Sequence, residues 1–485
     1  MSAVTRSGKW RIKPSSKLPI FLRFVINSSF DTKIAEAAGF KNFVVNRVYL
    51  NHMMYWPAKE YDAFEAEVIG HLKKNDGWYE KYYARELKNA EYLYRWGLKL
   101  KKVDWKNKTN LEIDKVLTQL LGYYRTVIGS WYVQYPSDTF FEDAIEEELA
   151  KHISVNHPDF RKIVLIFTDP KKMTDVAQER WELLKLARKF KNKKASKKDI
   201  AKHLDKFAYI NRGLATSKPY SESDILKRIA EARQSKEGLS ELLRYSSPQK
   251  IEADYKWALG IVKPNKRLKN IISQARSHSF LRNRRVEAFM LADYGGSFMY
   301  HEIARRNKFN PNWIMDVSVP EMHGALHGKP LPSVAEMKKR LHNYAMVVRN
   351  AQTSLITDPK EIKKLEKQYS VTHKQEEFVQ GRMASLGGII RGRAKVCLDK
   401  SEIGKVKRGD ILVAQFTTPD FVSAMERAAA IVADQGGLSS HAAIVSRELG
   451  VPCVIGTAKG TRLIHDNDLL EVNAKTGLVK IIKRA

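Results

Sequence analysis

The stretch Asp434 to Gly450 reads DQGGLSSHAAIVSRELG and holds one titratable ring, His441. Ala442 to Leu449 has the composition of a short helix, and Gly450 followed by Val451-Pro452 is a strong stop signal. Ser439 or Ser440 is then the N-cap, and His441 falls in the first turn. The first N–H groups of a helix lack intrahelical partners, and the helix dipole puts partial positive charge there. That field disfavours imidazolium and keeps the ring neutral and nucleophilic. The same N–H groups can receive phosphoryl oxygens, and Gly436 and Gly437 permit close backbone approach. A histidine so placed has the attributes of a phosphoryl carrier, although the spacing alone also fits an ordinary first-turn histidine. The candidate set is His441 as nucleophile, with Gly436, Gly437, Ser439, Ser440 and Arg447 around the phosphoryl group. Arg447 lies nearly two turns along the helix, so a surface charge beside Glu448 is an equal reading of it.

The wider stretch GDILVAQFTTPDFVSAMERAAAIVADQGGLSSHAAIVSRELGVPCVIGT closely resembles the swivelling phosphohistidine domain of phosphoenolpyruvate-utilising enzymes. That family includes phosphoenolpyruvate synthase, pyruvate phosphate dikinase and rifampin phosphotransferase. The resemblance runs from about Gly387 to Val479, with GIIRGRAKV, TTPDF, the histidine stretch and DLLEVNAKTGLVK in order. It implies that His441 is transiently phosphorylated. Ser439 stands where the family usually has threonine, and Ala433 replaces another usual threonine. A looser resemblance to the rifampin phosphotransferase type covers Arg282 to Met322, where the expected "LT-x-E-E"-like turn reads VSVPEM. The family's donor sites are an ATP-grasp domain, with a GGK-type loop and an RSSA-x-x-ED stretch, or a TIM barrel that binds phosphoenolpyruvate. Neither is recognisable here. HGALHGKP lacks the first glycine and the Ser/Thr of a Walker loop.

Two regimes of periodicity position these residues. From about Tyr61 to Ser370 the pattern is mostly helical, with capping-box spacings at Ser196/Asp199 and Ser221/Asp224. One strand-like interruption, KIVLIF at Lys162 to Phe167, suggests a split into two lobes near 162–170. His323 and His327 have the spacing of two ligands on a helix face, but Gly324, Gly328 and Pro330 argue for a loop, and no metal site is assigned. Three Tyr- and Trp-rich stretches between Val44 and Pro136 read mainly as helix-packing core and secondarily as the wall of an acceptor cavity. After about Gln380 come short strand-like runs set off by Gly, Pro, Asp or Asn. The expected architecture is multidomain: a basic, mainly α-helical region over 1–375 and a swivelling β/β/α phosphohistidine domain over 376–485. The hinge is expected near Gln368 to Gly381.

Composition bounds the function. The chain has 485 residues, enough for several domains, and no apolar run long enough to span a bilayer. There is no apolar signal segment, and Cys397 and Cys453 sit in strand-like runs, so a cytoplasmic location without disulfides is expected. The net charge is +31, of which only +4 lies from Glu376 onward. That excess implies an anionic partner or solvated lysine-rich faces. The reading that follows is a phosphotransferase component: His441 takes a phosphoryl group and passes it to a small-molecule acceptor on the helical domain. A separate ATP-grasp or phosphoenolpyruvate-type protein is the expected donor, with Mg2+ and ATP or phosphoenolpyruvate at that donor site and no intrinsic cofactor. The competing reading is a non-catalytic or regulatory carrier whose basic domain binds nucleic acid or an acidic protein. Basic stretches such as KLARKFKNKKASKKDIAKH suit phosphate contacts, but no nucleic-acid-binding signature accompanies them.

Overall fold

The computed structural model describes all residues except 1–4, 8, 15–17, 30–35, 37–38, 52, 75–76, 130, 191–195, 213–217, 235–238, 241–242, 244–246, 350–351, 370–377, 399, 419–420 and 439. Its first part is built around α11 (Lys266–Arg306), a 41-residue helix whose N-cap, Asn265, accepts from Leu268 N at 2.9 Å. Against it pack α3 (Trp78–Leu100), α4 (Asn110–Gly129), α5 (Gln134–Leu149) and α6 (Phe160–Thr168). Three further helices, α7 (Asp175–Lys189), α8 (Lys197–Arg212) and α9 (Glu222–Arg233), gather a smaller core from Leu183, Ala187, Ile200, Ile225 and Ile229. The capping box predicted at Ser221/Asp224 is present, and Asp199 N donates to Ser196 Oγ at 3.4 Å.

Three expectations need correction. KIVLIF is helix, not strand: Ile163 to Phe167 are all buried within α6, and a short run apolar on every side has no periodicity to distinguish the two. His323 lies in a helix, α12 (Val319–Leu326), rather than a loop. Ser318 and Glu321 form its capping box, which outweighs the one glycine within it. The aromatic stretch around Tyr49 is not helical either. β3 (Arg47–Leu50) and β4 (Met53–Pro57) form a hairpin, with β1 (Thr5–Ser7) and β2 (Trp10–Pro14) beyond β4. β5 (Ala345–Arg349) and β6 (Gln352–Ile356) complete this antiparallel sheet, in the order β1-β2-β4-β3-β5-β6. The start of the chain and the segment after the helical body therefore share one sheet.

The second part is an eight-stranded sheet ordered β7-β14-β13-β9-β10-β11-β12-β8. Its parallel centre is β9 (Ile389–Cys397), β10 (Ile411–Ala414), β11 (Ala430–Ala433) and β12 (Cys453–Ile455). β13 (Leu469–Asn473), β14 (Leu478–Lys483) and β7 (Phe378–Gln380) extend one edge antiparallel, and β8 (Arg382–Ser385) closes the other. Val413, Val432 and Val454 pack on one face with Leu470 and Val479. Leu412, Ile431 and Cys453 face the other way and join the apolar cluster that continues into the helical body. The expected hinge segment is shorter than its sequence suggested: Pro359–Tyr369 is helical and Phe378–Gln380 lies in the sheet. Only 370–377 separates them, and those residues lie outside the described set. Among the described residues no helix is long and apolar enough to cross a membrane.

Candidate functional site

β11 ends at Ala433, and the chain then runs through Gly436 and Gly437 into α13, as the site helix His441–Leu449 is labelled here. Ser440 is its N-cap, accepting from Ala443 N at 3.3 Å, and Gly450 terminates it in the left-handed conformation. His441 is thus the first helical residue, as its surroundings in the sequence predict. Ser439 lies outside the described residues. Gly436 has φ +116°, and a Cβ there would lie 2.5 Å from Ser440 Oγ, so the turn before the N-cap requires glycine.

The ring of His441 is oriented by a contact from a loop 24 residues earlier in the chain. Thr417 Oγ1, in the loop after β10, lies 2.8 Å from His441 Nδ1. Nε2 is buried without a hydrogen-bond partner. In the tautomer that donates Nδ1–H to Thr417, Nε2 keeps its lone pair and is the nucleophilic atom. Burial, with a lesser effect from the Arg282 guanidinium, pushes the imidazole down to about 3. The ring is therefore neutral at physiological pH, and burial does more to keep it so than any other single influence.

His441 lines a cavity of about 240 Å³ between the two parts of the chain. The C-terminal part contributes Thr417, Gln435, Gly436, Gly437 and Ser440. The N-terminal part contributes Asp138 and Glu142 of α5, Arg282 and Glu287 of α11, and aromatic rings including Trp56 of β4 and Trp131. Asp138 pairs with Arg282 and lies 2.7 Å from His278 Nε2. Glu142 accepts from Leu438 N and, at 2.8 Å, from Arg382 Nη1, so one carboxylate of the helical body holds two points of the C-terminal part. Burial, partly offset by Arg382, pushes Glu142 up to about 7. Gly437 belongs to this contact: a Cβ there would lie 2.2 Å from Glu142 Oε1.

Arg447 is placed elsewhere. Its Nη2 and Nε bond Asp169 Oδ1 at 2.6 and 3.0 Å, and it also donates to Ala384 O and Leu438 O. It is an interdomain tie that does not line the cavity. The guanidinium groups that do line it are Arg23, Arg282 and Arg382, none given a role in the sequence reading. TTPDF carried the signal for Thr417, since that motif forms part of the family resemblance. Arg282, Asp138 and Glu142 meet His441 only through tertiary packing. Cys397 and Cys453 are buried free thiols, and burial pushes Cys453 up to about 12. Among the described residues no group of three or more His, Cys, Asp or Glu side chains is disposed to hold a metal.

Comparison with known proteins finds relatives for the C-terminal part of the chain. Residues 406–477 match the family model for the mobile domain of PEP-utilising enzymes. The chain is 51% identical over 105 residues to a phosphoenolpyruvate synthase of Pyrococcus furiosus, covering 22% of this chain and 13% of that one. It is 33% identical over 165 residues to a Bacillus subtilis protein named uncharacterized phosphotransferase YvkC, covering 33% of this chain and 20% of that one. The chain thus spans at most a fifth of the length of either relative. Residues 406–477, which include His441, are thus similar to the mobile domain of PEP-utilising enzymes.

Proposed function

We propose that this chain is a phosphotransferase component in which His441 Nε2 carries a phosphoryl group to an acceptor hydroxyl in the interdomain cavity. The observation that carries the reading is the pairing of a neutral, oriented His441 with a cavity whose other wall is the helical body. In the charging step Nε2 attacks a donor phosphoryl group in line, the bond to the donor's leaving oxygen breaks, and Thr417 holds Nδ1. The burial of Nε2 in the docked arrangement means that a donor reaches it only after the domain moves away. On return, the acceptor oxygen attacks phosphorus and the Nε2–P bond breaks, returning its electron pair to Nε2. The hydroxyl proton passes to Glu142, which is poised near neutrality. Arg282 and Arg382 face the charge on the phosphoryl oxygens.

A nucleotide with its phosphate chain is large for this cavity, since about 240 Å³ is below the ~300 Å³ at which typical ligand pockets begin. We therefore assign the donor to a separate ATP-grasp or phosphoenolpyruvate-type protein, and the chain to the cytoplasm. The test is phosphate uptake by the purified chain from γ-labelled ATP and from labelled phosphoenolpyruvate, each with and without lysate of the source cells. Acid-labile label is expected on wild type with lysate and not on His441→Asn. Equal label on both proteins would overturn the assignment.

A further inference from the structure

Resting on that reading, we infer that the acceptor is a compact, uncharged alcohol or phenol built on one or two apolar rings. Size sets the first limit. A cavity of about 150 Å³ lined by apolar side chains accommodates benzene, so about 240 Å³ suits one or two fused rings. Macrocycles and nucleosides with phosphate chains are too large for the docked arrangement.

The wall sets the second limit. Trp56, Trp131, Tyr132 and Tyr135 supply flat apolar surface, and Ile26, Met54 and Val286 fill between them. Such a surface favours a planar ring and offers little to a chain of hydroxyls.

Charge sets the third. Among the described residues lining the cavity, three are arginines (Arg23, Arg282, Arg382) and three are acidic (Asp138, Glu142, Glu287). The guanidinium groups already have partners. Arg282 pairs with Asp138, Arg382 with Glu142 and Asp143, and Arg23 lies over the Tyr49 ring at 3.9 Å. Glu287 accepts from Asp175 N at 2.6 Å and faces Arg284 at 3.4 Å. Burial pushes Glu142 up to about 7 and Glu287 up to about 8, which leaves a surplus of positive charge at neutral pH. A phosphoryl group of about −1.5 to −2 arriving on His441 meets that surplus. An anionic acceptor would add charge that the wall does not offset, and a cationic one would compete with the arginines. Ions without partners in such a place carry a heavy desolvation cost.

The test uses three probes that share one bicyclic body: naphthalen-2-ylmethanol, naphthalene-2-carboxylate and naphthalen-2-ylmethylammonium. Each is titrated calorimetrically into the full chain at pH 8.5, above the values of Glu142 and Glu287, so that the acidic and basic wall groups balance. The alcohol is expected to bind at least tenfold more tightly than either ion. Its binding should vanish in Val286→Trp, which fills the cavity, and weaken in Ile26→Phe, a smaller intrusion that holds if the first variant fails to fold. Equal or tighter binding of either ion would overturn the inference. So would an absence of binding by all three, or alcohol binding that both variants leave unchanged. Labelling of His441, measured separately, distinguishes the two failures. Loss of label with the probe preference intact sinks the carrier reading, and label retained with an ion preferred sinks only the acceptor class.

Discussion

Gly437→Ala separates docking from chemistry. Gly437 does not lie in the left-handed region, so alanine brings no backbone strain to the mobile domain itself. The new methyl meets Glu142 Oε1 at 2.2 Å, about 1.2 Å inside the 3.4 Å at which ordinary contact begins. Overpacking of this kind costs about 1–3 kcal/mol. Moving Glu142 aside also forfeits the hydrogen bond from Leu438 N to a carboxylate, worth about 1.5–3 kcal/mol. Together the docked state loses about 2.5–6 kcal/mol, which is roughly sixtyfold or more in the docking equilibrium, at about 1.4 kcal/mol per factor of ten. The readout is energy transfer between dyes on Glu147→Cys and Lys475→Cys, both exposed positions, since Cys397 and Cys453 are buried. Glu142→Ala in the same chain removes the obstructing oxygen but also the acceptor of Leu438 N and Arg382, so it should recover at most the overpacking share of the loss. The rescue stays incomplete, because Asp138 Cβ remains 3.2 Å from the new methyl. Uptake of label at His441 should be unchanged. An unchanged docked population in Gly437→Ala would refute the reasoning.

Four further outcomes follow from the same geometry. Thr417→Val strips Nδ1 of its partner and should slow phosphoryl uptake by about tenfold or more, from a loss of about 1–3 kcal/mol, with Thr417→Ser largely restoring it. An NMR titration of the docked, unphosphorylated protein should find His441 unchanged between pH 5 and 8, because its value lies near 3; an inflection near 6.5 would show an unburied ring. Glu142 stands near 7 when docked against an ordinary 4.5, so the docked state holds the extra proton. Docking, read by the same dye pair, should therefore strengthen as pH falls from 7 toward 4.5 and weaken as pH rises through 7. Asp169→Ala leaves the half-buried Arg447 without its carboxylate and should reduce docking without touching uptake at His441.

The local frame of the site was legible in the sequence because capping is local. Ser440, His441 and Gly450 fall where N-cap and stop rules place them. The strand runs after Gln380 announced the sheet for the same reason: each is short, apolar and bounded by turn residues. The N-terminal sheet was not legible, since β3 is buried on both faces and pairs with β5 nearly 300 residues away. The partner of Arg447 was not legible because sequence distance along a helix does not disclose the neighbouring domain, and Asp169 arrives from there. The basic and acidic groups that do surround His441 come from α5 and α11, long helices in which no periodicity distinguishes a cavity-facing arginine from a buried ion pair.

The central claim, that Nε2 of His441 carries the phosphoryl group while Thr417 holds Nδ1, is tested most directly by the position of attachment. The protein, labelled with 15N in its histidines, would be phosphorylated by lysate with ATP or phosphoenolpyruvate and examined by 31P and 15N NMR at alkaline pH, where phosphohistidine persists. The account predicts a single phosphohistidine substituted at Nε2 and absent from His441→Asn. Attachment at Nδ1, or at any other residue of the chain, would contradict it.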